Sequence, residues 1–405
     1  MRSESIANRQ IERNLDATVC TPLQSRSELE GFVHRPRFKH VVYSQPTYML
    51  SGTPPSSNLR SLQQVVASLI IEEDPWVIDR RAALQRLDPG PERTRMDQRL
   101  SRAIDKHDTF AHKGLRDFER AAAEICSDLG AWAADWYIEQ VCKHATRADE
   151  LFPEFSFSSS ESERKYLLKN LARIKVTPVP EGDPDDLLRR TSDKVDKLID
   201  TLLEEMAFFE RNEQDYRGLV FVTRRDAVIA LSAILERHPR TADVLNVGSL
   251  LGQSGDSRRR SFLDITRRLL RQPATETLDS FRIGDLNLIV ATAVAEEGLD
   301  IQACCNVVRW DRPPNMVSWT QSRGRARQKR SSFVVMLSDS RADADIVRKW
   351  AILEQRMTEL YNTSEEIRAL QVWDEEDELE DEDDNLRFTV EATGCVFPLL
   401  MLIYT

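Results

Sequence analysis

Between residues 218 and 337, short apolar runs alternate with stretches whose apolar residues recur at helical spacing. The runs lie near 218–223, 243–247, 286–291, 305–310 and 332–337. They are β-branched and carry few polar interruptions, as expected of strands buried on both faces of a parallel sheet. The run 218–223 leads into a segment with Val228, Leu231, Ile234 and Leu235 on one face of a helix. Upstream, FKHVVY at 38–43 reads as a further strand, and the Pro/Ser/Gly/Thr-rich stretch 44–58 as a loop. From about 59 to 210 the period is helical throughout, with loops expected near 87–93 and 177–185. Trp132 and Trp136 fall on one helix face, where an aromatic pair is expected to be core. Residues 1–35 read as helix, with Ser25 or Ser27 as a cap, and helix returns from about 342 to 370. The pattern predicts an α/β protein with a large all-α insertion between the first strand and the rest of the sheet.

Composition changes this picture little. A chain of 405 residues can bury a sizeable core without disulfides. Its six cysteines show neither CxxC pairs nor zinc-type Cys/His spacing. That usage fits a reducing cytosolic or nuclear compartment, and Cys304 and Cys305 are expected to be small buried hydrophobes. No apolar run is long enough to cross a membrane, and no signal peptide is visible. The formal charge of −11 argues against a nucleic-acid binder only until it is located. The run DEEDELEDEDD at 374–384 carries ten carboxylates and accounts for all but one unit of it. Basic residues gather at Arg258–Arg260, Arg267, Arg268, Arg271 and 323–330, and local patches set phosphate affinity.

The candidate chemistry lies in three segments. The run 218–223 ends on Thr223. LIVAT at 288–292 ends on Thr292 and leads into AVAEEGLD, with Gly298 and Asp300. QSRGRAR at 321–327 sets three arginines around Gly324. In open α/β sheets, ligands bind at the carboxyl ends of the strands. Arginine presents a planar, permanently charged fork to phosphate oxygens. Taken alone, the arginine segment reads as a solvated helix face.

In this order and spacing the three segments resemble motifs IV, V and VI of the second RecA-like domain of superfamily 2 helicases. The wording ATAVAEEGLDIQACCNVVRWD followed by QSRGRARQKRS is similar to that of the fungal Dicer-like proteins. RSELEGFVHRPRFKHVVY resembles the stretch after their motif III, and DLGAWAADWYIEQV part of their helical insert. The resemblance runs from about residue 6 to about 394. It implies the end of a first helicase domain at 1–35 and the start of the second RecA-like domain at 36–58. The helical insert would be 59–210, motifs IV–VI would lie in 211–340, and 341–373 would form an exit arm. An acidic linker at 374–385 and the opening of a double-stranded-RNA-binding-like domain at 386–405 would follow.

The resemblance also implies roles. Arg325 and Arg327 would be arginine fingers reaching ATP, and Gln321, Gly298, Asp300 and Gly324 would lie by the nucleotide. Thr223, Thr292, Gly248 and Ser249 would meet RNA phosphates through hydroxyls, amides and a loop. For Gly298 and Asp300, a turn glycine and a capping aspartate are the plain alternative. ATP and magnesium are the implied cofactors, with magnesium or manganese for the nuclease of a complete Dicer. Double-stranded RNA is the implied ligand, and double-stranded-RNA-binding or Argonaute-pathway proteins are implied partners. No protein metal site is expected in this chain.

The sequence contains no GxxxxGK[ST] loop and no ribonuclease III signature. Asp374–Asp377 resembles a DExD box but lies within the acidic run after motif VI, and LSGTPPSS at 50–57 comes too late to be motif III. The chain is therefore expected to be a portion of a Dicer-like enzyme, inactive as an ATPase by itself. A non-catalytic RNA- or partner-binding module remains open, as does another insert-bearing helicase, an RNA sensor or a DNA junction translocase.

Overall fold

The computed structural model describes residues 36–46, 48, 53–151, 160–180, 183–251, 273–292, 304–313 and 315–340, with scattered positions between 343 and 356. The sequence expectations for 1–35, for most of 341–373 and for everything beyond lie outside the described residues. So do Gly298, Asp300 and the arginines at 258–260.

The strands are β1 (Arg37–Tyr43), β2 (Gly218–Phe221), β3 (Val247–Leu250), β4 (Leu288–Ala291), β5 (Asn306–Arg309) and β6 (Ser332–Ser338). They form one sheet in the order β1-β6-β5-β2-β4-β3, with every pair parallel. Strands β2, β4, β5 and β6 are buried at every residue, which explains their unbroken apolar runs. Successive side chains point to opposite faces. Val220, Val290, Val308 and Val334 pack into one core, and Leu219, Ile289, Val307 and Phe333 into another.

The strand expected at 243–247 lies instead at Val247–Leu250. Val244 and Leu245 form helical-type turn bonds to Thr241, and Leu245 is buried from that turn. Both stretches are apolar. Pairing with β4, from Val247 against Leu288 to Leu250 against Ala291, decides between them.

Between β1 and β2 the described residues form the helices α1 (Ser57–Ala67), α2 (Pro75–Arg86), α3 (Pro91–Asp105), α4 (Phe110–Leu129), α5 (Ala131–Leu151), α6 (Glu161–Leu171), α7 (Pro184–Arg190) and α8 (Asp193–Glu210). Then follow α9 (Arg225–Leu235), α10 (Ala274–Ile283) and α11 (Met316–Arg323) within the α/β part. Ala111, Leu115, Phe118, Ala122, Ile125 and Leu129 make the buried stripe of α4 at three- and four-residue spacing. Thr109, Ser160 and Ser192 cap α4, α6 and α8 with their side chains.

The apolar period runs without interruption through DLGAWAADW, yet the helix breaks there. Gly130 takes φ +105°, and a Cβ on it would stand 2.3 Å from the carbonyl oxygen of Arg190 and 2.8 Å from the Ser192 nitrogen. A glycine at this corner turns α4 into α5 and lets the start of α8 approach closely. Helices of the insert share a continuous core with α9 and one face of the sheet. Trp319 of α11 and Phe281 of α10 cover the other face. The α2–α3 pair keeps a small core of its own, Ile71, Val77 and Leu100. Trp132 is buried and its stacked neighbour Trp136 half-buried, with ring centroids 6.3 Å apart. Among the described residues no helix is long and apolar enough to cross a membrane.

Candidate functional site

The parallel sheet gives every strand a common direction, so the expected site residues can be sorted by strand end. Thr223 and Thr292 lie just past the carboxyl ends of the adjacent strands β2 and β4. Thr223 is exposed, and its backbone N–H donates to Oδ2 of Asp311 at 2.6 Å. Thr292 is 7% exposed, and its N–H donates to the carbonyl of Leu250 at 3.1 Å. Both amides, expected to face an RNA phosphate, are therefore engaged within the protein. Backbone at the end of a buried strand must find a partner, and here it does so internally.

This edge is interlocked with the insert. Lys194, in the first turn of α8, is 4% exposed. Its ammonium lies 3.6 Å from Asp311 and 3.9 Å from Asp128 at the end of α4. Next to Thr223, Arg224 pairs with Glu124 of α4 and with Asp226. The N–H of Ser44, after β1, donates to Asp193 at 2.7 Å. Burial pushes the Asp128 carboxyl above its ordinary range; Lys194 opposes the shift, and the carboxylates of Asp311 and Asp226 add to it. Burial, together with Asp128 and other nearby acids, likewise raises the Tyr43 phenol.

Gly248 and Ser249 do not form a loop. They are the middle of β3, Gly248 buried and Ser249 joined to Ser232 of α9 by a 2.8 Å hydroxyl pair. A Cβ at Gly248 would press on Leu286 and Thr277 at 2.7 and 2.8 Å, so packing accounts for the glycine. Both residues border a cleft of about 1110 Å³ between β3, α9 and the insert, where Trp132, Trp136 and Arg237 also lie.

The arginine segment occupies the opposite end of the sheet. Cys304, just before β5, donates its N–H to the carbonyl of Arg325 at 3.0 Å and forms a bridge with Ala326. Ser331, just before β6, donates its hydroxyl to the carbonyl of Ala326 at 3.0 Å. The arginine segment thus sits at the amino ends of β5 and β6, about one strand length, ~13 Å, from the Thr223 edge.

Gln321 is buried in α11, Arg325 half-buried and Arg327 exposed. The Arg327 Nε donates to the carbonyl of Gly324 at 2.7 Å, a local bond within the turn. Gly324 has an ordinary right-handed backbone, φ −62°, so it caps α11 without needing the freedom only glycine has. Cys304 and Cys305 are fully buried, and burial pushes both thiols up to about 12, so they are inert at neutral pH.

Residues 193–329 match the helicase conserved C-terminal domain, a span from the first residue of α8 through the arginine segment. Dicer-like protein 2 of Neosartorya fischeri is 35% identical over 388 residues, which are 95% of this chain and 26% of that protein. Dicer-like protein 2 of Cryphonectria parasitica is 30% identical over 400 residues, 98% of this chain and 25% of that protein. The chain belongs to the fungal Dicer-like proteins and carries their helicase C-terminal region. It spans about a quarter of the length of these Dicer-like relatives. Among solved structures, the Hef helicase domain of Pyrococcus furiosus is 18% identical, with a TM-score of 0.36, over 79% of this chain and 59% of that one.

Sequence reading missed Asp311, Lys194, Asp128 and Arg224. One signal was present: Asp311 follows a buried strand directly, where a carboxylate can serve neighbouring strand ends. No local pattern marks Lys194, a lysine in a first helical turn, as buried.

Proposed function

We propose that this chain works as the helicase C-terminal part of a Dicer-like enzyme that binds double-stranded RNA and acts in RNA silencing and antiviral defence. The observation carrying this reading is the division of the motif residues between the two ends of one parallel sheet. Exposed Thr223 marks one end, and the Arg325–Arg327 segment the other. A translocating helicase needs separate surfaces for duplex and nucleotide, joined by a rigid body, and a buried sheet supplies that body. RNA duplexes are gripped through phosphates and 2′-hydroxyls, for which an exposed hydroxyl at a strand end suffices.

ATP fits the arginine end in part. Arg327 is exposed and Arg325 half-buried, so either guanidinium can turn toward a γ-phosphate brought by another domain. When bound, ATP supplies the phosphoryl group whose hydrolysis drives movement. Gln321 is buried in α11. Magnesium would be held mostly by the domain that carries the P-loop, through one or two carboxylates and the ATP phosphates; among the described residues no cluster of three or more His, Cys, Asp or Glu is placed to hold a metal.

Two measurements test the reading. Fluorescence anisotropy with a labelled blunt RNA duplex should show binding that weakens steeply with salt. ATP turnover by the chain alone should be undetectable, and should appear when a relative's P-loop domain is added. Clear turnover by the chain alone would overturn the assignment. A second reading, a module that binds duplex RNA or a silencing partner without hydrolysis, is favoured by the absence of GxxxxGK[ST] from these 405 residues. It stands if RNA binds and the added P-loop domain restores no turnover.

A further inference from the structure

A cation in the first turn of α8 is opposed twice, by loss of water and by the positive end of the helix dipole. An apolar side chain would fill the space of Lys194 at lower cost. Instead the ammonium lies over the rings of Trp310, at 4.3 Å, and Tyr43, at 5.0 Å, between carboxylates from two parts of the molecule. Asp311 is the informative one. Its Oδ1 faces Lys194 at 3.6 Å while its Oδ2 accepts the Thr223 amide at 2.6 Å. One carboxylate thus joins a buried cation of α8 to the exposed loop after β2. A cation on one oxygen restricts rotation of the carboxylate and so fixes the other.

We propose that Lys194 is a positioning residue for the Thr223 loop: through Asp311 it fixes the Thr223 amide, so that the Thr223 hydroxyl is presented to a phosphate oxygen of duplex RNA. The destination of the hydroxyl rests on the RNA-binding reading above; the positioning does not. The phosphate-facing edge of the sheet then has its shape only when α8 is docked. Arg224, the next residue of the same loop, is held from α4 by Glu124 and by the carbonyl of Ala121, to which it donates at 3.5 Å.

The test uses the full 405-residue chain and two readouts. Hydrogen exchange followed by mass spectrometry reports the Thr223 amide without RNA. In Lys194→Met, exchange at 222–224 should rise about tenfold or more while the interior of β2 stays protected; unchanged exchange there overturns the proposal. Asp311→Ala, which removes the acceptor directly, should give the same local rise, and the double variant no more than Asp311→Ala alone. If Lys194→Met fails to fold, Lys194→Gln and Asp311→Ala carry the same comparison.

The second readout is affinity for the RNA duplex against salt. Lys194→Met should weaken binding about three- to tenfold and leave the slope of log affinity on log salt unchanged. A phosphate-binding lysine would instead lower that slope by about 0.9, and a fall of that size overturns the positioning role. So does unchanged affinity. If the wild-type chain does not bind RNA, the functional reading fails, and hydrogen exchange alone decides the positioning role.

Discussion

At the carboxyl ends of the strands, Thr223 sits beside a mesh of charges shared with the insert. At the amino ends, Arg327 stands exposed, its Nε bonded to its own turn. Asp311, Lys194, Asp128, Arg224 and Glu124 link four segments at the first end. The second end is tied through its own carbonyls: that of Arg325 accepts from the Cys304 N–H and that of Ala326 from the Ser331 hydroxyl. One edge is shaped from within by side chains, so its geometry depends on the insert. The other is a well-anchored turn from which long cations project, so its geometry depends on what approaches. A surface that tracks a polymer backbone needs fixed contact points. A finger that acts when a cleft closes needs an anchored base and a free tip.

The largest expected effect tests the arginine end. In a helicase reconstituted with a P-loop domain, Arg325→Ala should lower ATP turnover about 10³-fold, while RNA affinity stays within about twofold in the anisotropy assay. Equal losses in both would erase the distinction between the edges. Next comes the corner that sets the start of α8. Gly130→Ala places a Cβ 2.3 Å from the Arg190 carbonyl at φ +105° and should cost about 3 kcal/mol or more in urea denaturation. A loss under about 0.5 kcal/mol would show that the corner yields freely.

Thr223→Val keeps shape and removes the hydroxyl. It should weaken RNA binding by about 1 kcal/mol, roughly fivefold, without changing stability; an unchanged affinity removes Thr223 from the contact surface. The smallest effect concerns pH. Asp128 has its folded pKa raised, chiefly by burial, above an ordinary value of 3.8. The folded state therefore holds this proton more tightly than the unfolded chain does. The stabilisation is complete below the ordinary pKa and is lost as pH rises through the raised one. Asp128→Asn should remove that part of the decline, seen as a flatter melting temperature against pH above about 4. A curve parallel to wild type would mean the carboxyl is not perturbed.

Much of the architecture was legible because buried parallel strands read as short, unbroken, β-branched apolar runs between helical stretches. The runs at 218–221, 288–291, 306–309 and 332–338 are apolar on both faces, and the sheet is built from them. β3 was less legible. Its Gly248 and Ser249 are poor strand formers, and pairing with β4 overrides that weakness. The corner at Gly130 was hidden because apolar spacing continues across it; only contact with Arg190 and Ser192, distant in sequence, requires the break. For the site, the candidate residues were nominated by the resemblance of three segments to helicase motifs IV, V and VI. Their division between two sheet ends could not be read that way, nor the engagement of the Thr223 amide. Both depend on how β5 lies beside β2, which brings Asp311 to Thr223.

The pairing of β1 with β6 has a consequence for synthesis. Arg37 donates to Arg330 across a separation of 293 residues, and Phe38 lies opposite Phe333. At ordinary elongation rates of ~5–20 residues per second, β1 leaves the ribosome on the order of 15–60 s before its neighbour exists. During that interval a seven-residue strand whose Val41 and Tyr43 pack against the core in the folded chain lacks its neighbour. Glu205 of α8, which binds both Arg37 and Lys39, emerges well before β6. The insert can therefore act as a nascent-chain clasp, keeping the first strand of the sheet in place until the last one arrives.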